Sequence, residues 1–159
     1  MPGARSRRWA WVLAALAGCG APSPSMGHDA TPASALRATA LVWTAPGNRF
    51  TLEAEGWRSF QPIRGGPDGE PLIVVLRLRG DRPIEATVNV TDVQMVRGDS
   101  VWTSQPSEVR PADGGEMEIV VRNGPAWAPG DAVDLVARVH DGRASALLRA
   151  PRFVIQRVD

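Results

Sequence analysis

The sequence of 159 residues has no lysine, no tyrosine, one cysteine and two histidines. One cysteine excludes a disulfide within the chain, and a chain of this length can bury a core without one. The missing lysine and tyrosine side chains remove two of the groups that enzymes use to move protons. These shortages narrow the chemistry open to the chain, and we predict that it is not an enzyme.

The charge of the chain is nearly balanced. All 18 basic residues are arginines, and they stand against 17 aspartates and glutamates, for a formal net charge of +1. Three of the arginines lie within the first eight residues, so the remainder is slightly acidic. Nucleic-acid-binding proteins concentrate basic charge on one surface. We therefore predict no nucleic-acid partner.

The amino-terminal segment has the pattern of an export signal. Residues 1–8 are basic, and residues 9–17 (WAWVLAALA) form an unbroken apolar run. This run is too short to cross a bilayer as a helix, which takes about 20 residues. A basic start, a short apolar run and small residues after it are typical of a secretory signal peptide.

Leu16, Ala17, Gly18 and Cys19 close this segment. The quartet resembles the lipobox of bacterial lipoprotein precursors, in which Leu and two small residues precede a lipid-bearing Cys. The resemblance implies cleavage between Gly18 and Cys19, a diacylglyceryl thioether on the Cys19 sulfur and an acyl chain such as palmitate on its new amino group. Several acyl chains anchor a protein durably, because each buried methylene contributes about 0.8 kcal/mol.

Two neighbours of this motif bear on export and sorting. Gly20 follows the predicted lipidated cysteine. In lipoproteins of enteric-type bacteria an Asp at this position favours retention in the inner membrane, so we predict that this protein is anchored in the outer membrane of a Gram-negative cell envelope. Ser6-Arg7-Arg8 also fits the start of a twin-arginine signal. The tryptophans that follow depart from that signal and favour general secretion.

We predict three parts along the chain. Residues 1–18 form the lipoprotein signal peptide, and residues 19–35 carry the lipidated cysteine and a disordered tether rich in Pro, Ser, Gly and Ala. A flexible tether of this length has a root-mean-square reach of roughly 20–24 Å. Residues 36–159 form the folded domain.

Short strands separated by turn residues fill that domain. Period-two alternation, which places one face in a core and the other in water, is clear in several segments. Asp141-Gly142 predicts a two-residue hairpin turn. The candidate strands are 38–44, 50–56, 72–79, 84–97, 101–104, 116–122, 132–140, 144–149 and 152–158.

These strands predict an all-β fold, an antiparallel β-sandwich of about 7–9 short strands. In its size and in the length and spacing of its strands, the domain resembles an immunoglobulin-like module, although the Cys…Trp…Cys pattern of true immunoglobulin domains is missing. A small barrel is the alternative. Within 84–97 the apolar positions change phase after Val90, which predicts a bulge near Asp92.

Few residues suggest catalysis. His140 lies beside the predicted turn, and we expect it to be an exposed hairpin residue. The pairs Glu53/Glu55 and Glu116/Glu118 each place two carboxylates on one strand face, and Arg77 and Arg79 offer cross-strand partners for them. We expect these pairs to be solvated ion pairs and not a glycosidase site.

No cofactor or metal site is predicted. Asp68-Gly69-Glu70 and Asp113-Gly114-Gly115-Glu116 offer oxygens for calcium, but neither has the spacing of an EF-hand loop. We expect both segments to be turns.

Two tryptophans lie beside loop residues and are candidate ligand or partner contacts: Trp57 and Trp127. Our first functional hypothesis is a non-catalytic, lipid-anchored cell-envelope protein whose sandwich binds another envelope protein or serves a structural role. The alternative is a module that binds carbohydrate or a small ligand through these tryptophans and loop carboxylates.

Overall fold

The computed structural model describes residues 31–62 and 68–159. Within them lie one short helix, α1 (Ala33–Arg37), a 3-10 turn at Asp113–Gly115, and ten strands. The strands are β1 (Val42–Ala45), β2 (Asn48–Ser59), β3 (Leu72–Gly80), β4 (Asn89–Arg97), β5 (Ser100–Ser104), β6 (Glu108–Pro111), β7 (Met117–Gly124), β8 (Ala132–His140), β9 (Ser145–Val154) and β10 (Gln156–Val158).

The strands form two sheets that pack face to face. Sheet A has the order β1-β2-β3-β7-β6, and β10 adds a parallel pairing to β2. Sheet B has the order β5-β4-β8-β9 and is antiparallel throughout. The order β2-β3-β7-β6 opposite β9-β8-β4 is that of the two sheets of an immunoglobulin-like domain. The predicted all-β sandwich is confirmed, with ten strands in the described residues in place of seven to nine.

The core lies between the sheets and follows the predicted alternation. Leu72, Val74, Leu76 and Leu78 of β3 are all fully buried. Their partners across the core come from β4, β8 and β9. The chain then passes from sheet B to sheet A through Ile155, which is buried between β9 and β10.

The bulge in β4 is confirmed. Val90 pairs with Val139, whereas Asp92 pairs with Arg138, so Thr91 is the extra residue that shifts the register. The strand itself begins at Asn89, and the prediction of a strand over 84–88 was wrong. Ala86 is exposed there, because this stretch is a loop that connects the two sheets.

The amino-terminal part of the domain also differs from the prediction. Helix α1 begins inside the predicted tether, and a strand over 38–44 starts only at Val42. Ala33 and Leu36 are buried against Val96 and Val136 on the outer face of sheet B. A single helical turn is too short to produce a readable period, so tertiary packing decides this segment.

Candidate functional site

The predicted lipidation and cleavage residues, Gly18 and Cys19, lie outside the described residues, so that prediction stays a prediction. No helix among the described residues is long and apolar enough to cross a membrane. In the same part of the chain, no three His, Asp, Glu or Cys side chains come close enough together to hold a metal ion.

Trp127 is a core residue, which corrects its assignment as a candidate contact. It is 8% exposed and belongs to the main apolar cluster. The guanidinium of Arg97 covers its ring at 5.3 Å, and Arg97 is itself held by Asp131 at 2.8 Å. Since burial and Arg97 together cover the indole, it has no free face for a ligand.

Trp57 is half-buried on the outer face of sheet A. It pairs in register with Ile73 of β3 and Gln156 of β10. Trp57 and Trp127 are therefore not brought together, because one lies on the outer face of a sheet and the other in the core. Of the two predicted contacts, only Trp57 keeps a partly accessible ring.

The paired carboxylates form the expected ion pairs with cross-strand arginines. Arg79 lies 2.7 Å from Glu53, and Arg77 lies 3.1 Å from Glu55. The other pair is used in the same way, with Glu116 at 2.7 Å from Arg79 and Glu118 contacted by Arg110. These side chains line one face of sheet A, where each carboxylate has a basic neighbour.

Three connections meet at one end of the sandwich and enclose a cleft of about 350 Å³. They are the β1–β2 turn, the β3–β4 loop and the β8–β9 hairpin. The buried side chains of Ala45, Phe50 and Val88 form its floor. Its polar lining residues include Asn48, Arg82, Glu85, Asp141 and Arg143. We call this the loop-end cleft.

Asn48 fixes the backbone of Arg82 on one side of the cleft. Its side-chain oxygen accepts a hydrogen bond from the Arg82 N–H at 3.1 Å, and its amide nitrogen donates to the Arg82 carbonyl at 3.1 Å. This approach requires Gly80, because a Cβ there would lie 2.6 Å from both the Asn48 amide nitrogen and the Arg82 oxygen. Pro83 follows Arg82, and a residue before proline is disfavoured from the helical conformation.

Asp141 fixes the hairpin on the opposite side. Its Oδ1 accepts hydrogen bonds from the N–H groups of Arg143 at 2.9 Å and Ala144 at 2.7 Å. These backbone donors, Ala144 first, lower the pKa of the Asp141 carboxyl below its usual range. The predicted hairpin is confirmed, but the predicted loop length of two residues was wrong: the loop contains four residues, because His140 pairs with Ser145.

His140 is exposed and serves this same hairpin. Its Nδ1 accepts a hydrogen bond from the Gly142 N–H at 2.8 Å. Gly142 adopts a positive φ of 90°, which glycine favours over other residues. The imidazole thus shapes the turn that carries Arg143.

The sequence analysis did not identify Asn48, Arg82 or Arg143 as site residues. Asn48 and Arg82 lie in gaps between the predicted strands, and Arg143 directly follows the predicted Asp141-Gly142 turn. The local signal was a Gly or Pro beside each of them, but only the strand order shows that the three segments share one end of the sandwich.

No known protein-family model matches this chain, and a search of curated proteins found no match. Function is therefore inferred from the residues of the chain itself.

Proposed function

We propose that the protein is a lipid-anchored, non-catalytic binding module of the bacterial cell envelope, and that its sandwich binds another envelope protein at the loop-end cleft. The observation that carries the binding role is this cleft, in which a buried apolar floor is surrounded by polar residues from three connections. Immunoglobulin-like domains use loops at one end of the sandwich in this way for recognition. The lipobox resemblance at Leu16–Cys19 supports the anchor.

The position of α1 is compatible with this arrangement. Arg37 at the end of α1 contacts Asp134 near the start of β8, whereas the cleft residue Asp141 follows the end of that strand. The two aspartates are seven positions apart along an extended chain, which is roughly 23 Å. None of the described residues before Val42 lines the cleft. Helix α1, with which the described part of the chain starts, therefore lies away from the cleft.

The cleft favours a protein or small-molecule partner over stacked sugar. Among the described residues that line it, Phe50 is the one aromatic residue, and it is 2% exposed. A sugar ring can stack only on an accessible aromatic face, which the described lining residues do not offer. The carbohydrate hypothesis then rests on Trp57, which lies on sheet A and not in the cleft.

The anchor is tested by the intact mass of the membrane-extracted protein. We expect the wild type to begin at Cys19 with added acyl mass, and Cys19→Ser to be released from the membrane. An unacylated soluble wild type would contradict the anchor.

Binding is tested by a photo-crosslinking residue placed in living cells at Thr87, which lines the cleft. The matched control is Asp99, an exposed residue in the β4–β5 turn at the other end of β4. We expect one discrete envelope-protein adduct from position 87 and none from position 99. Adducts at both positions, or at neither, would count against a contact at the cleft.

A further inference from the structure

Two arginines in the loop-end cleft, Arg82 and Arg143, have no acidic partner among the described residues. Most arginines in the described residues lie within 4.0 Å of a carboxylate, as the pairs on sheet A and around Asp134 illustrate. No such pair involves Arg82 or Arg143 within residues 31–62 and 68–159, although the cleft also contains Glu85 and Asp141. The cleft thus presents two guanidinium groups that are free to bind a ligand.

The backbone of each of these arginines is held by a neighbouring side chain. The Asn48 amide makes hydrogen bonds to both the N–H and the carbonyl of Arg82. The Asp141 carboxylate accepts the N–H of Arg143. A fixed backbone lowers the conformational entropy that the loops lose when a ligand binds, so less binding energy is lost to ordering.

The two acidic residues that line the cleft, Asp141 and Glu85, differ in whether their carboxylates already accept hydrogen bonds. Oδ1 of Asp141 accepts two backbone hydrogen bonds and stabilises the hairpin. Glu85 has no hydrogen bond or ion pair to its side chain among the described residues, and it is exposed. Glu85 therefore opposes an anion in the cleft, whereas Arg82 and Arg143 attract one.

We propose that the loop-end cleft binds an anionic group, a carboxylate or a phosphate, between the guanidinium groups of Arg82 and Arg143. The planar donor fork of arginine matches both groups and can bind them through two parallel hydrogen bonds. The buried floor of Ala45, Phe50 and Val88 excludes water from one side of the site, which strengthens these interactions. This inference deepens the proposed function, because it names the chemistry that a partner presents to the cleft.

The test uses the full-length chain extracted in detergent and labelled with ¹⁵N. Succinate supplies carboxylates, inorganic pyrophosphate supplies phosphate, and dimethyl succinate is the uncharged probe of similar shape. The Nε–H signals of the arginine side chains are followed at constant ionic strength, and Arg82→Gln and Arg143→Gln assign the two signals of interest. We expect both signals to shift and saturate with at least one of the two anions. Neither signal should respond to dimethyl succinate.

The variants give results of opposite sign. Each of Arg82→Gln and Arg143→Gln should weaken binding about 10-fold, the size expected for a lost charge-assisted hydrogen bond. Glu85→Gln should strengthen binding about 2- to 5-fold, because it removes a like charge from the cleft. Arg122→Gln is the matched control: Arg122 is an exposed arginine of β7 outside the cleft, and its removal changes the net charge by the same amount.

Saturable shifts that depend on Arg82 and Arg143 support the site. The anion that binds shows whether the group bound by the cleft is a carboxylate or a phosphate. The absence of saturation with both anions would overturn it, as would an equal loss in Arg122→Gln. This result is independent of the proposed function, since anchoring and crosslinking are measured on cells without added anion. A lipidated, partner-bound protein with no anion affinity would retain the function and refute only the arginine site.

Discussion

At the scale of single residues, Asp134 shows how a carboxylate can join distant parts of the chain. Its side chain is 4% exposed on the outer face of sheet B. Arg152 of β9 donates to it at 2.8 Å and Arg37 of α1 donates at 3.0 Å. The hydrogen bond from Arg152 is the largest cause of the lowered pKa of this carboxyl; burial opposes it, and Arg37 adds to it. Asp134 is therefore ionised at neutral pH.

This lowered pKa predicts a loss of stability in acid. A carboxyl whose folded pKa lies below its unfolded value of about 3.9 stabilises the fold above that value and loses the effect as the pH falls through the folded pKa. We expect Asp134→Asn to lower the free energy of unfolding by about 1–3 kcal/mol at pH 7, because Arg37 and Arg152 lose the charged carboxylate and one of the two oxygens that accept their hydrogen bonds. The deficit relative to the wild type should shrink below about pH 4.

Urea unfolding at pH 7 and pH 3 measures this difference. The matched control is Asp92→Asn, which removes an exposed carboxylate 3.4 Å from Arg138 and should cost less than about 1 kcal/mol at either pH. A deficit for Asp134→Asn that stays constant from pH 7 to pH 3 would show that the ionised form is not the stabilising one.

The sequence predicted the exposed ion pairs but not this buried one. Glu53, Glu55 and the arginines of β3 lie at alternate strand positions, so their cross-strand pairing follows from local pattern alone. The same alternation placed Asp134 on the solvent face of β8. It does lie on the outer face, but α1 and two arginines cover it there, and no local pattern reports what covers a face.

At the scale of elements, helix α1 depends on the sheet beneath it. A helix of five residues is not stable alone in water. Ala33 and Leu36 lie three positions apart on one helical face and are both buried on sheet B. The same contact shields Val96 and Val136, which would otherwise leave an apolar patch on the outer face.

Truncation of Leu36 therefore tests whether α1 belongs to the folded domain. Leu36 is 1% exposed, and we expect Leu36→Ala to lower the free energy of unfolding by about 2–3 kcal/mol through lost burial and a residual cavity. Leu41→Ala makes the same chemical change at a residue that is 44% exposed and should cost less than about 0.5 kcal/mol. Chemical denaturation followed by tryptophan fluorescence gives both values, and equal losses would mean that α1 contributes nothing.

The strands that the sequence predicted well have apolar residues at alternate positions that face the core. β3 and β8 are of this kind, although α1 also buries part of the outer face of β8, and the bulge in β4 follows from its change of apolar phase. Strand β6 was missed because all four of its residues are exposed, so that no alternation marks it. Its strand character comes from pairing with β7 at the edge of sheet A.

At the scale of the whole molecule, the fold class could be predicted from the sequence, whereas the loop-end cleft could not. Turn residues and alternation suffice for a sandwich, because they report local geometry and burial. The cleft instead needs residues near positions 48, 82 and 143 to meet, which depends on the order of strands in two sheets. The lipobox needs no fold at all, since four consecutive residues carry it.

The proposed anchor and the proposed cleft together predict which residues a thiol reagent can reach in the cell. Cys19 is the only cysteine, and the proposed thioether would block its sulfur, so an introduced cysteine is a unique thiol. Thr87→Cys reports on the cleft without removing either of its arginines, and Asp99→Cys reports on the β4–β5 turn. In spheroplasts, a maleimide that cannot cross the inner membrane should label both variants and leave the wild type unlabelled. Labelling that requires lysis of the spheroplasts would contradict export.

The same two thiols report where the partner binds. In membranes that retain the partner, we expect labelling at position 87 to be slower than in the purified protein, because a bound partner covers the cleft. Labelling at position 99 should proceed at the same rate in both preparations, because that turn lies at the opposite end of β4 from the loop that lines the cleft. Equal protection of the two positions would indicate general crowding at the membrane, and protection of position 99 alone would move the contact surface to the other end of the sandwich.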